Sequence, residues 1–449
     1  MKLSVKNLIL WVGLGLSTWV GCSQSASPPM TEQAAAQAWG EMTLYLSQYT
    51  PANSPTYASR AIGYIGLTMY ESVVLGYPEY QSMAGQLNGL KDLPQVEENQ
   101  PYDWVLSMNA AQAAIHAIIY QQTSDSNKLK LDSLEQAIYE NFAGRYDDPE
   151  VAERSVAFGK AVAAQIAIWS ETDGGHRAYL RNFPKEFEHP TFPGSWQPPL
   201  YAQSFSHNPL HPTWGENRTF LTENAELPLP EFIPYDTTVG SPYYEEFKAV
   251  YDKERSLTQQ EKEIALWWGD DPSDTFTPPG HSYYLATIAL KKTRPPLINW
   301  AETYARTGMA VADAFIKCWK WKYHFFSERP NTFNPRFIDQ SWESFWPDPP
   351  FPAFPSGHAI QAAASATVLT DLFGESFSFI DSAHVGRERD ELRDTDFVER
   401  PFESFWDFAI ETADSRFYGG IHTPQDNVVG LEEGKKIAER VNQLNWRKP

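Results

Sequence analysis

Apolar residues recur at helical spacing through the first third of the chain. Trp39, Met42, Leu46 and Tyr49 lie three or four residues apart and so share one helix face. Ala58, Ile62, Ile65 and Met69 repeat the pattern, which Gly76 and Pro78 close. Further stripes run through Trp104, Met108, Ala111, Ile115 and Ile118, and through Leu131, Leu134, Ile138 and Phe142. An Ala-rich stretch from Val151 to Trp169 follows and stops at Gly174-Gly175. Strand-like alternation is not seen here. Each stripe reads as the face that a helix buries in a core.

Residues 178–245 break the period. They are rich in Pro, Phe and Trp, as at Pro198-Pro199, His211-Pro212 and Trp214-Gly215, and read as long loops. Loops of that length in a compact protein are often functional. His207 and His211 lack companions at metal-ligand spacing and are expected to be surface or loop residues. Helices then resume. Thr258 with Glu261 predicts a capping box and a helix through Trp267-Trp268. Asn299 with Glu302 predicts the start of a longer helix through Lys322. Another is expected after Pro355-Ser356-Gly357, running to Phe373 and ended by Gly374. One more spans Phe402 to Tyr418, and Thr423-Pro424 supplies an N-cap and first residue for the last. The expected fold is all-α, with two packed helical bundles at 33–177 and 246–449 joined by the 178–245 loops.

Composition narrows the function. With 449 residues, 42% of them hydrophobic, the chain can build a large core, and disorder is excluded. The net charge of −21 argues against nucleic acid as a partner. Any anionic ligand must be held by a local cationic cluster against the overall field. Only Cys22 and Cys318 are present, which excludes a disulfide framework. Lys2 and Lys6 precede the short apolar run Leu8 to Leu16, and Trp19-Val20-Gly21-Cys22 follows. This segment resembles a bacterial lipoprotein signal, with Cys22 as the lipidated residue, 1–22 as the signal and 23–32 as a tether. The resemblance implies an exported protein attached to the cell envelope, at the outer membrane or in the periplasm, through its lipid anchor alone.

Three segments near the C-terminus carry candidate chemistry. In the first, Lys322 ends a helix and Arg329-Pro330 lies in the loop beyond it. The second, Pro355-Ser356-Gly357-His358, opens a helix. A helix N-terminus presents unpaired N–H donors and partial positive charge, and so suits an anion. Ser356 adds a hydroxyl, Gly357 allows close approach, and His358 titrates near neutrality. The third runs from Ser415-Arg416 to His422 and Asp426. Phe405, Ala409, Thr412 and Arg416 share one face, so Arg416 continues an inward stripe, and a buried arginine needs an anionic partner. Asp426 can reach back to the His422 ring, fix its tautomer and free the other nitrogen.

Taken together, the segments match the pattern K-x6-RP, PSGH, SR-x5-H-x3-D. The chain resembles the superfamily of vanadium-dependent haloperoxidases and type 2 phosphatidic acid phosphatases. Ala58 to Glu71, Trp267-Trp-Gly-Asp and Thr277-Pro-Pro-Gly-His281 extend the likeness to bacterial haloperoxidase-related proteins. The resemblance implies that Lys322, Arg329, Ser356, Gly357 and Arg416 hold the oxygens of a tetrahedral oxyanion. It implies His422 as the axial ligand to vanadium, Asp426 as its orienting partner and His358 as the acid–base residue. The cofactor implied is vanadate, for which phosphate competes. As a haloperoxidase the protein would use hydrogen peroxide and a halide, through a peroxovanadate at His422, with Lys322 polarising the peroxide. As a phosphatase it would hydrolyse phosphomonoesters through a phosphohistidine at His422. Chain length favours the haloperoxidase. Trp319 and Phe351 sit where fungal chloroperoxidases carry aromatics near vanadate, although core packing explains Trp319 equally. Asp270 and Asp271 are within reach of the cationic cluster, but solvation at a helix end is the expectation.

Overall fold

Polar caps and prolines start the helices where the apolar stripes predict them. The computed structural model describes residues 29–199, 202–203 and 207–449; the signal segment and Cys22 lie outside the described residues. The first helices are α1 (Glu32–Tyr49), α2 (Pro55–Glu71), α3 (Trp104–Ile119), α4 (Asp125–Ala143) and α5 (Pro149–Ser170). Thr31, Ser54, Asp103, Ser124 and Asp148 cap them through side-chain oxygens. The short α6 (Thr222–Ala225) and α7 (Pro242–Glu254) interrupt the loop region. Then come α8 (Gln259–Trp267), α9 (Thr277–Thr293), α10 (Leu297–Phe325), α11 (Pro330–Phe337), α12 (Gly357–Phe373), α13 (Phe405–Tyr418) and α14 (Pro424–Asn442). Between α12 and α13, β1 (Phe379–Asp381) pairs antiparallel with β2 (Arg400–Phe402). The fold is all-α, as expected.

Two predicted starts shift. α10 begins at Leu297, and Asn299 lies inside it, donating to Tyr80 Oη at 3.1 Å. Glu302 pairs one turn on with Arg306, so it serves α10 as a buried ion-pair partner and not as a cap. α13 begins at Phe405 under a Ser404 cap, because Arg400–Phe402 forms β2.

One apolar cluster runs from Trp39 and Ile65 through Trp300 and Trp319 to Ile360 and Ile437. Helices approach closely where glycine permits it. A Cβ at Gly308 would lie 2.4 Å from the Ile62 carbonyl oxygen, so α10 sits directly against α2. A Cβ at Gly434 would lie 2.1 Å from the Ile360 carbonyl oxygen, so α14 sits directly against α12. This second contact places the two helix starts side by side, with the Ser356 amide donating to the Asp426 carbonyl at 2.9 Å.

The 178–245 loops are partly buried. Leu210, Trp214 and Phe220 join the main cluster. Buried backbone needs partners, and Asp313 of α10 supplies them. Its carboxylate accepts from the Phe220 and Leu221 amides at 2.6 and 3.1 Å and from Asn224 Nδ2 at 2.9 Å. Both histidines lie in loops, as expected; His207 is exposed, whereas His211 is buried. It is 4% exposed, bonds Thr56 Oγ1 and the Ala178 carbonyl, and stacks on Trp214. Its sequence context is loop-like, yet tertiary packing buries the ring. Among the described residues no helix is long and apolar enough to cross a membrane.

Candidate active site

The three motif segments converge. Lys322 lies in the last turn of α10, Arg329 precedes α11, and Ser356 caps α12 by accepting from the Ala359 amide. Arg416 is in the last turn of α13, His422 precedes α14, and Asp426 belongs to its first turn. Thr423 and Asp426 form a capping box. Lys322, Arg329, Ser356, Gly357, Arg416, His422 and Asp426 are buried, and His358 is half-buried. Phe405, Ala409, Thr412 and Arg416 are all buried, as their shared face predicts.

The cations differ in what they leave open. Lys322 Nζ donates to the carbonyls of Pro352, Ala353 and Pro355 at 2.9, 2.5 and 2.6 Å. All three ammonium hydrogens are thereby engaged, which leaves none for a ligand. Burial pushes the lysine's basicity down. Arg329 donates to the carbonyls of Phe351, Pro352 and Ile421, and its Nη1 lies 3.5 Å from His422 Nε2. Arg416 donates from Nε to Ser415 Oγ and from Nη2 to the Ala265 carbonyl, while Nη1 is buried with no partner among the described residues. His358 Nε2 is likewise buried and unpartnered. An orphaned buried donor costs about 1–3 kcal/mol unless something binds it.

His422 Nδ1 lies 2.8 Å from Asp426 Oδ2. Burial, reinforced by Arg329, Lys322 and Arg416, holds the ring well below its ordinary pKa and therefore neutral. A neutral ring donating from Nδ1 to a carboxylate keeps its lone pair on Nε2. Asp426 also accepts from the Thr423 amide at 3.3 Å. Burial raises its carboxyl, and Lys322 and Arg329 oppose that. His358 is pushed well below its ordinary range by burial and by Arg416.

A cavity of about 390 Å³ opens on this cluster, lined by Gly357, His358, Arg416 and His422. Its other walls are Asp270 and Asp271 on one hand and Phe183, Phe315, Trp319 and Phe351 on the other. The Trp319 and Phe351 rings lie 4.9 Å apart, with Lys322 Nζ 5.9 and 5.3 Å from their centroids. Both aromatics therefore line the cavity and screen the lysine as well as packing. A Cβ on Gly357 would sit 3.7 Å from Trp319 and 3.9 Å from Lys322 Cε. Cys318 is free and buried beneath.

Asp270 departs from expectation. It is not solvated at a helix end but buried in a second cluster with His281, Asp381 and His384. Sequence reasoning found His281 only as part of Thr277-Pro-Pro-Gly-His281. No local signal marked Asp381 or His384, which lie about a hundred residues further on. Asp271 is half-buried; burial lifts its carboxyl to about 7 against the pull of Arg416.

Solved structures of vanadium-dependent peroxidases share this architecture. A family model for the VCPO second helical-bundle domain matches residues 302–447, a span holding every residue of the three motifs. The solved structure of the first bacterial vanadium-dependent iodoperoxidase is 30% identical, with a TM-score of 0.78, over 92% of this chain and 97% of that one. Apo and holo structures of a bacterial vanadium-dependent chloroperoxidase share the fold at 15% identity, with TM-scores of 0.64 and 0.66. They align over 88% and 93% of this chain and 93% and 96% of theirs. No curated protein matches the sequence. The chain belongs to the vanadium-dependent haloperoxidase family.

Proposed function

We propose that the protein is a vanadate-dependent haloperoxidase, oxidising a halide with hydrogen peroxide to hypohalous acid. The observation that carries this reading is the buried cationic pocket in which Arg416 Nη1 and His358 Nε2 lack partners among the described residues and His422 offers Nε2. The donor set fits vanadate. His422 Nε2 would hold the metal, and Arg416, Arg329, Ser356 and the first amides of α12 would hold its oxygens. When bound, vanadate supplies a Lewis acid that activates peroxide without changing oxidation state. Asp426 keeps the His422 tautomer, Lys322 contributes fixed positive charge, and His358 moves a proton at Nε2. The aromatic wall of Trp319 and Phe351 limits water near the lysine.

The 30% identical relative is an iodoperoxidase, and iodide is the easiest halide to oxidise, so it is the first to test. The vanadium-free protein should oxidise iodide with hydrogen peroxide only after vanadate is added, and phosphate should inhibit that reconstitution. Hydrolysis of a phosphomonoester by the metal-free protein through His422, with no iodide oxidation after loading, would instead establish the phosphatase reading. Export and lipid anchoring at Cys22 rest on the N-terminal residues alone. The Cys22→Ser variant is expected in the soluble fraction, and its retention on membranes after a salt wash would refute the anchor.

A further inference from the structure

Arg416 faces a cavity that it shares with a buried carboxylate, Asp270, yet the two form no hydrogen bond. A buried arginine beside a carboxylate ordinarily pairs with it, often through two parallel bonds. Here both carboxylate oxygens are already engaged. Asp270 Oδ2 lies 2.8 Å from His281 Nδ1, and Oδ1 lies 3.0 Å from His384 Nε2. His281 is itself fixed from behind: Nε2 lies 2.8 Å from Asp381 Oδ2, and the ring stacks on Trp268 at 4.5 Å. Asp381 in turn accepts from Trp267 Nε1 at 2.7 Å and from the Ala383 amide at 2.9 Å. All four of these side chains are at most 2% exposed. The loop that carries Asp270 also needs holding, since Asp270, Ser273 and Thr277 adopt positive φ of 49°, 74° and 71°. Left-handed backbone is unfavourable for a β-branched residue such as Thr277.

We propose that His281, with His384, is a positioning residue: it clamps the Asp270 carboxylate away from Arg416 and so keeps Arg416 Nη1 open for the oxyanion. Released, Asp270 is a tethered anion in the same cavity and competes with vanadate or phosphate for that donor. The clamp lies outside the matched span 302–447 at Asp270 and His281 and inside it at Asp381 and His384. Two distant parts of the chain thus set the availability of one arginine nitrogen. This inference rests on the reading of the pocket as an oxyanion site.

The test is calorimetric binding of inorganic phosphate and of orthovanadate to the vanadium-free full-length protein. His281→Phe retains a ring against Trp268 but cannot donate; it should weaken both anions about tenfold, equivalent to about 1.4 kcal/mol. Adding Asp270→Asn removes the competing charge and should restore affinity to within about threefold of wild type. A merely structural role for His281 would not be repaired by a second substitution. His384→Leu should also weaken binding, while His384→Gln, which still donates, should not. If His281→Phe fails to fold, the His384 pair carries the same comparison. Unchanged affinity in folded His281→Phe, or a double variant as weak as the single, would overturn the clamp. So would a stoichiometric divalent cation in the wild type that is lost in His281→Phe, because Asp270, His281 and His384 could then be its ligands. If the wild type binds neither anion, the oxyanion reading itself fails and the clamp falls with it.

Discussion

The His422 and His281 clusters are both buried, and each sets a histidine 2.8 Å from an aspartate, yet they hold opposite charge states. His281 has a carboxylate on each nitrogen. Burial opposes its protonation, but Asp270 and Asp381 outweigh that and hold its pKa up at about 10. Asp270 is correspondingly held far below its ordinary range despite burial, chiefly by His281 and then by His384. His422 has one carboxylate and three cations around it, so burial and charge together keep it neutral. Both His281 nitrogens are bonded; beside His422, Arg416 Nη1 and His358 Nε2 are not. A saturated, charge-compensated cluster holds a scaffold. Surplus positive charge with open donors is what an anion completes.

The largest effect expected from breaking this contrast is on binding. His422→Ala removes the open nitrogen and should weaken vanadate at least about 100-fold. The lost Asp426 bond should cost about 1–3 kcal/mol of stability. Vanadium content and thermal melting, measured together, check both; stoichiometric vanadium in the variant would refute the assignment.

A second variant sharpens the comparison, because Lys322 belongs to the oxyanion pocket but is saturated like the His281 cluster. Lys322→Met leaves three buried carbonyls without their donor and should cost about 1–3 kcal/mol of stability. It should also slow iodide oxidation more than it lowers vanadium occupancy, since both arginines remain. Denaturant unfolding and steady-state rates on loaded protein separate the two effects. A variant as stable as wild type would show that the carbonyl contacts carry no net stability.

The smallest effect is a slope. His281 binds its proton more tightly folded than unfolded, so its contribution to stability is complete below pH 6.5 and is lost as pH rises toward 10. The melting temperature of wild type should therefore fall more steeply between pH 7 and 10 than that of His281→Phe. Parallel slopes would show that His281 does not keep its proton in the folded state.

Much of the site was legible because its signals are local. Pro-Ser-Gly before an Ala-rich run predicts a helix start with free amides, and Thr423-Pro424 with Asp426 predicts another; both caps are present. The i,i+4 step from His422 to Asp426 is a short-range relation, and the 2.8 Å contact follows from it. The inward stripe ending at Arg416 is likewise a property of one helix. The capping pair Asn299 and Glu302 misled for the complementary reason. Its local pattern is acceptable as a cap, but Glu302 is bound by Arg306 within the helix.

By itself, then, the sequence determined that this is an all-α chain, and its motif spacing pointed to three cations, two histidines and a helix start as a candidate anion site. Helix period, caps and motif spacing act over a few residues, and the chain displays them directly. Only the tertiary structure decided which cation keeps an open hydrogen. That depends on carbonyls of Ala265, Ile421 and Pro352 and on a carboxylate held from Asp381 and His384, all brought in by helix packing. It likewise decided that His211 is buried, that Trp319 and Phe351 wall the cavity, and that Asp270 is clamped. Burial and competition for hydrogen bonds are set by residues distant in the chain, and no local spacing encodes them.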